Sequence, residues 1–200
     1  MVEKACDSIV ETADRAIRIL RGLEALAHDG SQDDMQEAEP GDMVEAAVDL
    51  VRRRYETHGI ALETSVPEGL PAMECRKAQI GQVLMNLLNN AFDAVEGSAF
   101  SQCWVRVEVA LKTDAKDARE WICINVFDGG PPLAQETREH LMEAFYTTKA
   151  AVGGTGIGLS ISREIAEKHG GSLELQDCDG HTCFHLALPV CAARKEAVAA

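Results

Sequence analysis

Two hundred residues and 21.6 kDa give room for one domain with a short appendage, and a chain of this length buries about 70% of its surface without disulfides or a structural metal. Thirty-three acidic against 19 basic residues leave a formal charge of -14, which argues against a nucleic-acid or anionic-membrane surface, because both require a positive patch. A phosphate compound would have to be held by backbone amides, a metal ion and a few placed cations.

The elements follow in chain order. Residues 1–29 read as one helix, with Val2, Cys6, Ile9, Ala13, Ala16, Leu20, Leu23 and Ala27 spaced as a heptad seam. So apolar a helix needs a partner, either the rest of its own domain or a helical hairpin or dimer stem. Residues 30–41 are polar, acidic and turn-rich, and read as a linker. Asp42 with Glu45 makes a capping-box-like start to a helix that ends near Gly59. A strand is expected over 60–66, stopped by Pro67, and then a long helix from about Arg76 to Val95. Two β-rich runs, Cys103 to Leu111 and Trp121 to Phe127, flank a polar segment and read as an antiparallel pair. A loop-rich stretch over 128–154 leads to a helix from about Gly156 to His169. The closing runs, 172–176 and 181–188, surround Asp179-Gly180, a hairpin signal. The tail over 191–200 is expected to fray. This order predicts helices layered on one face of a mixed sheet.

Seven cysteines, odd in number and without a C-x-x-C, read as buried thiols of a reducing compartment. No apolar run reaches membrane-spanning length. The chain is therefore expected to be cytoplasmic, with a membrane anchor elsewhere in a longer protein left open.

Three groups of residues can carry chemistry. Asn86, Asn90 and Asp93 share one face of the long helix, between apolar faces. Such a stripe either faces solvent or holds something, and an amide oxygen suits a hard cation such as Mg²⁺. Asp128-Gly129-Gly130 follows a strand directly and is either a plain turn or a carboxylate placed to accept a hydrogen bond from an exocyclic amine. Gly154-Thr155-Gly156-Ile157-Gly158 opens a helix, where backbone N–H groups can converge on an anion. It is neither the Rossmann fingerprint nor a Walker A loop. Upstream, Thr147-Thr148-Lys149 offers hydroxyls and a cation for a terminal phosphate.

The order GQVLMNLLNNAFDAV, INVFDGGPP, EAFYTTK, GGTGIGLSISREIAEKHGGSLEL resembles the catalytic, ATP-binding domain of sensor histidine kinases. That domain belongs to the superfamily shared with DNA gyrase, MutL and a heat-shock chaperone, and the likeness is to kinases of the nitrogen-regulation and dicarboxylate-sensing type. The resemblance covers about residues 40–190, and a catalytic domain over 42–190 is expected. It implies an α+β fold, a two-layer α/β sandwich of the Bergerat type. It implies ATP and Mg²⁺ as cofactors, with Asn90 on the metal and Asn86 close by. Asp128 would read the adenine amine, and Gly130 would line that pocket. Gly154, Gly156 and Gly158 would shape the hinge of a lid, with Thr148 and Lys149 at its base and Thr155 and Leu159 within the same ATP-binding stretch. Asp93 matches an acidic position of several branches. The family's adenine turn is Asp-x-Gly-x-Gly. Its last glycine is here Pro132, which fixes φ and removes an N–H, so a stiffer pocket edge is expected.

The family transfers the γ-phosphoryl group to a histidine followed by an acid and, a few residues on, a proline. None of His28, His58, His140, His169, His181 and His185 stands in such a motif. The stem over 1–29 resembles the second helix of the dimerisation hairpin, so the chain is expected to start after the acceptor helix and not to phosphorylate itself. Partners implied are a response regulator receiver domain, the protein's own acceptor helix and a second copy through the stem, with no nucleic acid. Gyrase- and MutL-type ATPases keep a glutamate base where Asn86 stands, which disfavours hydrolysis. A degenerate, nucleotide-free module and a serine kinase of the anti-sigma-factor type are the competing functions.

Overall fold

The computed structural model describes residues 34–96, 103–115, 117–149, 154–178 and 180–191. The expected stem and most of the expected tail lie outside the described residues. The elements are β1 (Gln36–Ala38), α1 (Pro40–Thr57), β2 (Ala61–Ser65), β3 (Met73–Cys75), α2 (Lys77–Val95), β4 (Trp104–Thr113), β5 (Glu120–Asp128), α3 (Gln135–His140), α4 (Gly158–Lys168), β6 (Ser172–Cys178) and β7 (His181–Pro189).

The helices arise where apolar residues recur every three or four positions. In α2 Ile80, Val83, Leu84, Leu87, Leu88, Ala91, Phe92 and Val95 are all buried, a broad stripe that lets this helix pack on the sheet and on both α1 and α4. The strands arise where apolar residues alternate. Val105, Val107 and Val109 of β4 and Ile122, Ile124 and Val126 of β5 face the helices, joined by Phe184, Leu186 and Leu188 of β7. The sheet order is β2-β4-β5-β7-β6, with β2 parallel to β4 and every other pair antiparallel. Helices α1, α2 and α4 cover one face, which makes a two-layer α+β sandwich, in agreement with the pattern of the sequence. On the other face the Arg106 guanidinium lies 5.5 Å from the Trp104 ring centre and 5.0 Å from that of Phe127. Cys123 and Cys183 are buried there between neighbouring strands, and burial pushes the Cys183 thiol up to about 12. The six described cysteines are free thiols. Among the described residues no helix is long and apolar enough to cross a membrane.

The entry to α1 differs from expectation. Residues 36–38 form a strand that pairs antiparallel with 73–75, where the sequence reads as linker. The helix starts at Pro40 and not at Asp42, with Glu39 in extended conformation at its N-cap. Proline presets helical φ and lacks an N–H that the first turn would leave unpaired, so it starts the helix two residues before Asp42. A three-residue strand with two exposed polar residues has too little alternation to be read from sequence. The short helix α3 escapes notice for the same reason: it buries no residue.

Tyr55 ties the helix layer together. Its ring is buried edge-on to Phe92, 5.2 Å between centres, and its hydroxyl donates to the Leu88 carbonyl at 2.7 Å. Burial pushes its phenol well above the usual range, so it is a permanent donor. Tyr55→Phe should cost about 1 kcal/mol, lowering Tm by roughly 3 °C. A thermal melt showing no change would refute this role.

Candidate functional site

The polar stripe of α2 is neither wholly solvated nor wholly buried. Asn86 and Asn90 are half-buried, and Asp93, at the far end, is exposed. Asn86 is turned toward α4, where its Nδ2 donates to the Gly158 carbonyl at 3.2 Å and to Ser162 Oγ at 3.1 Å. Asn90 is different. Among the described residues nothing hydrogen-bonds its carboxamide, although it stands between two well-partnered groups. Asp93 accepts from Lys149 Nζ at 3.0 Å and lies 3.6 Å from the Arg54 guanidinium. Arg54 in turn donates to Asn89 Oδ1 at 2.9 Å and rests 3.7 Å over the Phe92 ring. Lys149 is thus held against α2 by a carboxylate shared between two cations.

Asp128 ends β5. Its side chain points to the helix layer, flanked by Val105 on one neighbouring strand and Thr182 on the other, and it is 2% exposed. Oδ1 accepts from the Gly130 N–H at 3.0 Å. Burial pushes the carboxyl up to about 6, partly opposed by the Gly130 N–H and by His181 and Lys149. The turn that follows is squeezed from both sides. A Cβ at Gly129 would stand 2.5 Å from the Trp104 indole nitrogen, and one at Gly130 would stand 2.8 Å from the Ala94 carbonyl of α2. Glycine at 130 therefore lets the backbone approach the helix that carries Asn90. Pro131 and Pro132 are exposed on the outer side of this turn.

The third part is the loop from Phe145 to Gly158. Phe145 adopts φ 70, rare for an aromatic residue, while its N–H donates to the Gly156 carbonyl at 2.9 Å. Gly156 has φ 66, and a Cβ there would strike the backbone of Phe145 and Tyr146, so only glycine closes this contact. Thr147 Oγ1 accepts from the Lys149 N–H at 3.0 Å, and the Gly154 N–H donates to the Lys149 carbonyl at 2.9 Å. The loop is thereby pinned on both sides of residues 150–153, which lie outside the described residues. Thr148 is exposed and Thr155 half-buried, and Leu159 sends its side chain into the core. Helix α4 starts without a side-chain cap, so its first-turn amides at Gly158, Leu159 and Ser160 have no partner within the helix.

The structure thus brings Asn90, Asp93, Lys149 and the start of α4 together along one side of α2, with Asp128 and Gly130 adjoining the same helix at Ala94. Thr147, which the sequence groups with Thr148 and Lys149, pins the loop. Three residues that sequence reasoning leaves out of the site take part in it: Thr182 flanks Asp128, Arg54 shares Asp93, and Ser162 holds Asn86. Of these only Ser162 carries a signal, a hydroxyl on the apolar face of a helix.

The described histidines are occupied structurally. His169, buried at the end of α4, has Nδ1 at 2.7 Å from the Ile165 carbonyl and accepts from the Arg76 N–H through Nε2 at 3.0 Å, as suits a helix-end histidine. Burial lowers its pKa, so the neutral ring that these two bonds require is the stable one. His185 meets Asn125 Oδ1 at 2.6 Å, and His140 meets Glu143 Oε1 at 3.0 Å. His28 lies outside the described residues.

Comparison with known proteins agrees with the fold. Residues 75–192, more than half of the chain, match the family model described as histidine kinase-, DNA gyrase B-, and HSP90-like ATPase. The chain is 35% identical over 148 residues, 74% of its length, to the C4-dicarboxylate transport sensor protein DctB of Rhizobium meliloti (strain 1021). It is 32% identical over 189 residues, 94% of its length, to the sensor protein FixL of Bradyrhizobium diazoefficiens. The chain spans only 22% and 35% of the lengths of these two relatives. In fold it resembles the nucleotide-free catalytic domain of the histidine kinase ThkA, with a TM-score of 0.66 at 24% identity over 78% of this chain and 98% of that one. It also resembles ThkA in complex with the response regulator protein TrrA, with a TM-score of 0.69 at 19% identity over 92% of this chain and 50% of that one.

Proposed function

Because this chain belongs to the histidine kinase-, DNA gyrase B-, and HSP90-like ATPase family, as a histidine kinase catalytic domain, we propose that it binds Mg²⁺-ATP on the exposed side of α2 and presents the γ-phosphoryl group to a histidine on a dimerisation helix. One observation carries the reading: an unpartnered, half-buried Asn90 carboxamide stands between a buried carboxylate at the end of β5 and an uncapped, glycine-led helix start.

The residues present fit a magnesium ion. Among the described residues no cluster of three or more His, Cys, Asp or Glu could cage a metal, so a cation here would take a single protein oxygen, from Asn90, and draw its other ligands from phosphates and water. When bound it would neutralise charge on the phosphates. The chain's own groups do the rest. Asp128, its Oδ1 fixed by Gly130, leaves Oδ2 to accept from the adenine amine. The first-turn amides of α4 donate to phosphate oxygens. Lys149, now on Asp93, reaches the terminal phosphate by a rotation of its own long side chain. Such a site positions and neutralises, which is what phosphoryl transfer asks of a protein. In the transfer the β–γ P–O bond breaks toward ADP and a P–N bond forms to an imidazole supplied from outside the described residues. Water is a poor substitute acceptor, because the residue one turn before Asn90 is Asn86, a side chain without basicity whose nitrogen is committed to α4.

A response regulator receiver domain is the proposed next acceptor, and a paired stem the proposed route to a dimer. Incubation with γ-labelled ATP and Mg²⁺ should leave the chain unlabelled and label a separately supplied dimerisation hairpin bearing the acceptor histidine. Failure to bind ATP or to label the hairpin would favour a degenerate, nucleotide-free module. Rapid release of free phosphate would favour an ATPase.

A further inference from the structure

Between α2 and α4 lies a polar contact that the nucleotide reading does not explain. The buried faces of both helices are otherwise apolar: Val83, Leu84 and Leu87 on one, Ile161, Ile165 and Ala166 on the other. Apolar packing holds two helices together without fixing their register, because it is non-directional. Ser162 interrupts that face and is fully buried. Its hydroxyl donates to the Gly158 carbonyl one turn back at 2.9 Å. With its proton so placed, the oxygen's lone pairs are left to accept from Asn86 Nδ2 at 3.1 Å. The same Asn86 nitrogen reaches the Gly158 carbonyl at 3.2 Å. A Cβ at Gly158 would stand 3.6 Å from the Asn86 carboxamide, so that group lies directly against the start of α4.

A buried hydroxyl and amide that satisfy each other are worth their desolvation when they specify one arrangement out of several. We infer that Ser162 and Asn86 form a joint locking the first turn of α4 to α2, which sets the distance between the amides of Gly158, Leu159 and Ser160 and the Asn90 carboxamide so that both act on one phosphate chain. Ser162 is a positioning residue for the triphosphate, and Asn86 acts through its nitrogen and not as an oxygen ligand of the metal. This role rests on the proposed binding of ATP and adds to it.

Asn86→Asp keeps size and oxygen but removes both donations, whereas Ser162→Ala removes the acceptor and leaves Asn86 in place. Wild type and both variants are titrated calorimetrically with Mg²⁺-ATP and with adenosine, and hydrogen exchange is followed at the Ile161 and Ser162 positions. Each variant should weaken Mg²⁺-ATP binding about tenfold, the equivalent of one buried hydrogen bond, while adenosine affinity stays within about twofold because the base is held by Asp128. Exchange in the first turn of α4 should quicken about tenfold in Ser162→Ala, with the last turn unchanged. Asp at position 86 preserving or tightening Mg²⁺-ATP binding would make this residue a metal ligand and overturn the inference. So would wild-type triphosphate affinity in Ser162→Ala, or an equal loss for adenosine and ATP. If the wild-type chain binds no Mg²⁺-ATP, the nucleotide reading fails and the positioning role fails with it, while the exchange measurement separately shows whether the joint exists.

Discussion

Asn90→Ala should remove the Mg²⁺-dependent part of ATP binding, raising Kd about 100-fold in the presence of the metal, or about 2.7 kcal/mol. The size of the effect follows from how little else at this site can serve a hard cation. Asn86 is held against α4 through its nitrogen, and Asp93 is shared between Lys149 and Arg54, so among the described residues Asn90 is the member of this stripe with no partner to give up. Removing the carboxamide should leave the fold intact. Its side chain makes no hydrogen bond among the described residues, and alanine is the better helix former by a few tenths of a kcal/mol. The melting temperature should therefore hold or rise slightly. Chelating the metal should weaken ATP binding by wild type to the level of the variant and leave the variant unchanged. An alanine variant that binds ATP with the wild-type metal dependence would remove Asn90 from the site.

The parts of this molecule that are legible in its sequence rest on periodicity or on a local backbone demand. Helix α2 and the strands β4 and β5 follow from apolar spacing, because each buries one continuous face. The glycines at 130 and 156 stand out because nothing larger fits against Ala94 or against Phe145 and Tyr146. What escapes is pairwise. The strand at 36–38 exists because residues 73–75 lie beside it, and its own three residues carry no signal of that. The same holds for the site. Asn86, Asn90 and Asp93 look equivalent on a helical wheel, yet one grips α4, one is unpartnered and one is a counter-ion for Lys149. Those differences come from Ser162 and from Lys149, 76 and 56 positions away. Spacing along a helix places side chains on a face, and only the fold decides what stands opposite them.

Asp128→Asn should weaken ATP binding about 100-fold while preserving or raising stability, and the two halves of that outcome have one cause. The carboxyl is raised to about 6 in the folded chain from an ordinary value of 3.8, chiefly by burial. Keeping it ionised at neutral pH thus costs about 3 kcal/mol of folding free energy. The sign runs one way for folding and the other for binding. With the folded value above the unfolded one, this group favours the folded state fully below pH 3.8, and that contribution is lost as pH rises through 6. An adenine amine needs the ionised acceptor, so nucleotide affinity should be full above about pH 7 and fall about tenfold per unit below about 6 until the base itself begins to protonate. An amide escapes the ionisation cost but has a single oxygen. Turned to the Gly130 N–H, it shows the adenine amine a competing NH₂ donor. Turned to adenine, it leaves two donors facing each other at Gly130. Either way a buried donor loses its acceptor, which is the kind of mismatch that discriminates by orders of magnitude. A purine triphosphate with a carbonyl in place of the amine should accept from that NH₂ group and gain on ATP in the variant. Calorimetry of both nucleotides between about pH 5 and 8, with thermal melts alongside, checks each half. Undiminished ATP affinity in the variant, or a flat pH profile in the wild type, would take Asp128 out of base recognition.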